Sequence, residues 1–193
     1  MKTITLTLQS IEGSPYSQSR RHDTPKIDDR ESPDDYDKRT WREHLHADAK
    51  GEVYIPGVAV KQCLDNSAAY LKIKIPGQRN ATYTKKFISG IMVVGNLNLG
   101  LNKKDIPSET LYLNADGKKG GGTRVARMFP KIEQWEGKLE VLILDDVITE
   151  AIFTRVLEEA GKFIGLGRFR PEKSGFYGRF MVKPGSVKVV EQR

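Results

Sequence analysis

Ile4, Leu6 and Leu8 alternate with Thr3, Thr5 and Thr7, so residues 2–9 read as a half-buried strand. The pattern then collapses from Ser10 to about Gly51, where Ser, Pro, Asp and Arg dominate and acids gather at Asp28, Asp29, Asp34, Asp35 and Asp37. An irregular stretch of that length inside a domain is unusual and often functional. Tyr36, Arg39, Trp41 and Arg42 predict partial order in its second half. Val53-Tyr54-Ile55 is a short strand, and Pro56 suits the first turn of a helix. Val60, Cys63, Leu64, Ala68 and Leu71 recur at helical spacing to about Lys72, and Pro76-Gly77 ends the unit. Phe87–Val94 reads as a strand, Thr110–Asn114 as a short one, Arg124–Ile132 as extended and Lys138–Leu144 as a clear strand. Asp145-Asp146 offers an N-cap for a helix over 147–162, whose apolar stripe is Ile148, Ile152, Phe153, Val156, Leu157 and Ala160. Gly161 or Gly165 can stop it. Phe180–Val190 carries one or two final strands, interrupted by Pro184-Gly185.

Stripped of insertions, the order is β-α-β-β-α-β. The strands are 2–9, 87–94, 138–144 and about 177–183, and the helices are 57–72 and 147–162. The expected class is therefore α+β, a ferredoxin-like (RRM-like) palm: a four-stranded antiparallel sheet with both helices on one face. Long insertions would form thumb and finger loops. Over 1–193 these are the insertion 10–51, a basic finger loop 114–132 and a glycine-rich loop 165–178. The second face of such a sheet is free to meet a ligand, as in RNA-recognition domains.

Charge sharpens the picture. The chain of 193 residues has a net charge of +7. Residues 57–193 hold 23 Lys/Arg against 14 Asp/Glu, while residues 1–56 hold 9 against 11. From Asn66 to Lys104 there is no acid, but Lys72, Lys74, Arg79, Lys85, Lys86, Lys103 and Lys104 are basic. A second acid-free stretch, Gly117–Ile132, holds Lys118, Lys119, Arg124, Arg127 and Lys131. Such segregation favours a polyanion partner. No apolar run approaches the roughly 18 residues of a membrane span, so a cytoplasmic location is expected. Cys63 sits in an apolar helical pattern and reads as a core residue.

The sharpest local feature is Gly165-Leu166-Gly167-Arg168-Phe169-Arg170-Pro171-Glu172-Lys173-Ser174-Gly175-Phe176-Tyr177-Gly178-Arg179-Phe180. Glycines let backbone N–H groups approach phosphate. Arg168, Arg170 and Arg179 supply forked donors that match phosphate oxygens. Phe169, Phe176 and Tyr177 offer faces for base stacking. The expected nucleic-acid contacts are Tyr83, Lys85, Lys86, Lys118, Lys119, Arg124, Arg127, Gly165, Gly167, Arg168, Arg170, Gly175, Tyr177 and Arg179. On this reading Arg168→Ala with Arg170→Ala weakens binding with little loss of thermal stability. The loop is no dinucleotide fingerprint, because it follows a helix and lacks the third glycine, and Gly117-Lys118-Lys119-Gly120 lacks the spacing of a P-loop.

A ferredoxin-like unit with a glycine-rich loop between its last helix and last strand resembles the RAMP superfamily of CRISPR-associated RNA-binding proteins. The excursion after strand one and the second basic loop look most like the backbone subunits that polymerise along guide RNA. The resemblance implies a palm with a thumb and fingers, a glycine-rich loop near RNA at Gly165, Gly167, Arg168, Arg170 and Gly175, and possible CRISPR-complex subunits as partners. Thr40-Trp41-Arg42-Glu43-His44-Leu45 is similar in style to small phage and prophage proteins, which implies reuse of the fold on phage single-stranded DNA.

Catalysis is not expected. His22, His44 and His46 all lie in the irregular insertion, none near the glycine-rich loop in sequence, and His44, His46 and Asp48 lack a second ligand cluster. Asp23, Asp28 and Asp29 are candidates for metal-dependent cleavage by location alone. No metal or cofactor is assigned. The reading is a non-catalytic single-stranded nucleic-acid-binding protein, for RNA or DNA, that coats its ligand as an oligomer. A RAMP-like endoribonuclease processing guide RNA is the alternative. A phage protein mimicking a backbone subunit to inhibit the host complex is a third.

Overall fold

The computed structural model describes residues 1–19, 25–115 and 122–191. Strand β1 (Lys2–Ser10) turns Ile4, Leu6 and Leu8 into the core and leaves Thr3, Thr5 and Thr7 on the other face, as alternation requires. The insertion follows, with α1 (Pro33–Thr40), a 3-10 turn at Trp41–His44, and Trp41, His44 and Leu45 buried. Then come β2 (Glu52–Ile55), α2 (Gly57–Leu71), α3 (Thr84–Gly90), β3 (Ile91–Val94), β4 (Leu97–Asn102), β5 (Ser108–Asn114), β6 (Arg124–Pro130), β7 (Glu136–Ile143), α4 (Glu150–Glu159), β8 (Phe180–Val182) and β9 (Lys188–Glu191).

The main sheet runs β3-β7-β1-β8, with β9 also on β1. All of its pairings are antiparallel. The order β1-α2-β3-β7-α4-β8 is the β-α-β-β-α-β unit predicted from the hydrophobic pattern. Pro184-Gly185 splits the last strand, so β8 pairs with Leu8–Ser10 and β9 with Lys2–Thr5. Helices α2 and α4 cover one face, joined by a hydrogen bond from Ser67 Oγ to the Val156 carbonyl. Leu64, Phe153, Val156 and Leu157 seal against Ile4, Leu6, Leu139 and Val141. Each such side chain contributes about 1.5–3 kcal/mol on burial. Cys63 belongs to this core, and burial pushes its thiol up to about 12.

Two local expectations are corrected, and of two candidate helix stops one is used. Residues 84–90, not only 91–94, lead into the second palm strand as helix α3, because Tyr83 and Phe87 bury at i, i+4 spacing with Lys85 and Ile88 outside. The N-cap of α4 is Thr149, whose hydroxyl accepts from Ile152 N, and Asp145 instead bonds Val147 N and pairs with Lys86. Gly161 does not stop the helix. It continues as a π-helical turn, Ala160–Ile164, and ends at Gly165 with φ 74°. Outside the palm, β2 pairs with β4 and β5 with β6, each an antiparallel two-stranded sheet. Among the described residues no helix is long and apolar enough to cross a membrane.

Candidate nucleic-acid interface

The glycine-rich loop is a folded plug joining three parts of the chain. Arg168 N bonds the Ser17 carbonyl (2.8 Å) and Gly178 N bonds the Pro15 carbonyl (2.9 Å), which tie the loop to the start of the insertion. Gly167, at φ 74°, lies so close that a Cβ would stand 2.3 Å from the Ser17 carbonyl oxygen. Only glycine fits there. The loop also meets the β5–β6 hairpin. Arg168 Nη2 donates to Glu109 on β5, and Tyr177 Oη donates to the same carboxylate at 2.7 Å. The guanidinium lies 3.7 Å from the centroid of Phe129 on β6.

Arg168 is therefore corrected as a surface phosphate contact: it is 7% exposed and its charge is spent on Glu109. Among the described residues its Nη1 has no hydrogen-bond partner. Burial lowers its proton affinity, while Glu109 and Tyr177 pull the other way. Tyr177 is likewise buried, and desolvation, the Glu109 bond and the Glu109 charge push its phenol up to about 12. Tyr83 is buried too and offers no stacking face.

What the loop does present is a pair of rings. Phe169 is 40% exposed and Phe176 55% exposed, both edge-on to Tyr177 at 5.9 and 4.9 Å. Phe169 holds φ 52°, a left-handed conformation that a bulky residue avoids. Its carbonyl accepts from Tyr177 N at 3.0 Å, and a Cβ on Gly175 would stand 1.8 Å from that carbonyl oxygen. Gly175 is thus what lets the chain hold Phe169 outward. Lys173, exposed and outside any ion pair among the described residues, stands on the same loop, and the sequence reading did not count it as a contact.

The remaining cations separate. Arg170 bonds Glu172 through Nε and Nη2 and the Gly167 carbonyl through Nη1. Arg179 Nε donates to the Lys162 carbonyl. Arg127 lies 3.9 Å from Asp37 of α1, one same-face rung from Phe129 along β6. Arg124 is exposed near the hairpin tip. Lys85 is exposed and Lys86 pairs with Asp145 at 2.9 Å, but both sit on α3. That is the Lys2 end of β1, whereas the glycine-rich loop sits at the Ser10 end, about 26 Å away along the strand. The single groove expected from sequence is thus two separate regions. Lys118, Lys119, His22 and Asp23 lie outside the described residues.

Folding also brings in groups that local sequence does not connect. His44 stacks at 5.1 Å on Phe129, whose ring also lies against Arg168. A cavity of about 460 Å³ between α1 and the hairpin is lined by Tyr36, Asp37, His44, Arg127 and Phe129 among others. Glu109, the anchor of the loop, carries no local signal in the sequence. Among the described residues no group of three or more His, Cys, Asp or Glu could hold a metal ion.

No protein-family model and no curated protein sequence matches the chain. Solved structures do. One is a chain of the Type III-B Cmr-beta structure, determined by cryo-EM bound to cognate target RNA, with TM-score 0.56 and 11% identity over 98% of this chain. This chain spans 61% of the length of that one. Another is Cmr6 from Pyrococcus furiosus, at TM-score 0.49 and 13% identity, covering 95% of this chain and 99% of that one. The second likeness is too loose to argue from. The first, with the strand order described above, shows a shared fold: a ferredoxin-like palm with insertions.

Proposed function

We propose that this chain binds single-stranded nucleic acid, RNA or DNA, at the glycine-rich loop, and does not cleave it. The observation that carries the reading is Phe169, 40% exposed and held at an unfavourable positive φ with its ring against the Arg168 guanidinium, beside the more exposed Phe176. Strained backbone that turns apolar rings to solvent is kept where the rings meet a ligand. Bases stack on such faces regardless of sequence, and Lys173 adds charge beside them. The fold shared with a chain of an RNA-bound Cmr structure supports the same partner. Copies lie side by side along the strand, and subunits of a CRISPR-type complex are candidate neighbours.

Electrophoretic mobility with poly-U, poly-dT and duplex DNA tests the reading. Both single strands should bind more tightly than the duplex. Phe176→Ala should weaken single-strand affinity about tenfold, the usual scale for one lost stacking face. Preference for duplex, or an unchanged Phe176→Ala affinity, would overturn it.

One observation favours a second reading, RNA cleavage: the cavity that places His44 with Tyr36, Asp37 and Arg127 next to the hairpin the loop is anchored on. Labelled RNA incubated with and without divalent metal separates the two. Discrete products that vanish in His44→Ala would establish a nuclease.

A further inference from the structure

The face of the main sheet turned away from α2 and α4 is open, and its residues line up in rows across the strands. One row reads Met92, Leu142, Thr3, Val190. The next reads Val94, Glu140, Thr5, Lys188. Met92 is 49% and Val190 59% exposed, and Glu140 and Lys188 are exposed as well. These rows contain no aromatic ring, and their acid and base cancel. With no ring to stack a base and Lys188 offset by Glu140, these two rows suit nucleic acid poorly. Exposed apolar side chains beside balanced charges fit a protein surface.

The pattern is also self-complementary. Strand β1 lies at the centre, with β7 on one side and β9 on the other. A two-fold axis along β1 sets Thr3 and Thr5 against their own counterparts and exchanges the flanking strands. Leu142 then faces Val190 of the second copy, and Glu140 faces Lys188 of the second copy, each contact made twice. We propose that this face binds a second copy of the same chain, sheet on sheet, in an isologous dimer centred on β1. Nucleic acid plays no part in the contact. Aligned packing of two twisted sheets accommodates it. The strand positions that overlap across this axis, β7, β1 and β9, span about 14 Å, and β1 spans about 30 Å, which gives about 430 Å² per copy. A standard interface buries about 800 Å² per partner. A contact this small makes the dimer a dissociable one.

Sedimentation equilibrium of the nuclease-treated full chain, without oligonucleotide, tests this over micromolar to millimolar concentrations. The mass should rise from 21.7 kDa towards a dimer. Glu140→Lys sets two like-charged pairs against each other, and Lys188→Glu does the same with opposite sign. Each variant alone should dissociate about tenfold more readily. An equimolar mixture of the two restores both attractive pairs and should associate like the parent, as should the double variant E140K/K188E. Melting curves confirm that each variant is folded. A chain that stays at 21.7 kDa throughout, or one whose association ignores these substitutions or is not rescued by mixing, would overturn the proposal.

Discussion

Arg168→Ala should cost stability, contrary to what the glycine-rich loop suggests when read as sequence. The side chain of Arg168 is 5% exposed and that of Glu109 14% exposed. Removing the cation leaves a largely buried carboxylate with the Tyr177 hydroxyl as its remaining direct donor. Breaking a buried ion pair from one side costs about 3–5 kcal/mol, and the surviving hydrogen bond keeps the cost near the lower end, about 3 kcal/mol. In a chain of this length each kcal/mol moves Tm by about 2–4 °C, so the melting point should fall by about 6–12 °C in differential scanning calorimetry. Removing both charges in Arg168→Met with Glu109→Leu should recover part of this, because no uncompensated charge remains. Recovery stops short of complete, since the cation over Phe129 is lost, at about 0.5–1 kcal/mol, and the buried Tyr177 hydroxyl loses its acceptor, at about 1–3 kcal/mol. If Arg168→Ala keeps its melting point within about 2 °C and loses nucleic-acid binding, the structural role of the Arg168–Glu109 pair is wrong and the surface reading of Arg168 is right.

Further outcomes follow from the same geometry. Tyr177 ionises near 12 in the folded chain against an ordinary 10.0, so the unfolded chain loses its proton first. The resulting stability is complete below pH 10 and is lost as pH rises from 10 through 12; melts at pH 9 and pH 11 should show a larger drop for the parent than for Tyr177→Phe. Gly175→Ala must force the Phe169 carbonyl away, so it should cost about 2 kcal/mol or more and open residues 165–178 to limited proteolysis; an unchanged cleavage pattern would contradict the close approach. Thr149→Ala removes the hydroxyl that caps α4 and should lower stability by about 1 kcal/mol in urea unfolding, whereas Asp146→Ala should not.

The palm was legible because its elements write their period into the chain. The alternation from Thr3 to Leu8 survives intact as β1, and Val60, Cys63, Leu64 and Ala68 form the buried face of α2. Where period and packing disagreed, packing decided. Phe87 and Ile91 looked like one strand because both are apolar, yet the first closes a helix and the second opens a strand. The loop was found by composition, but its composition did not reveal which side chains face outward. Phe169 and Phe176 turned out, while Arg168 and Tyr177 turned in.

Sequence by itself determined the order of the palm's strands and helices and the excess of positive charge, since each depends on residues close together along the chain. Tertiary structure alone decided that Glu109 neutralises Arg168, that His44 reaches the same hairpin, and that Lys85 lies at the opposite end of β1 from the loop. Those outcomes depend on distances across the fold, between residues tens of positions apart. A charge exposed on paper becomes a structural one when a carboxylate from a remote strand is packed against it.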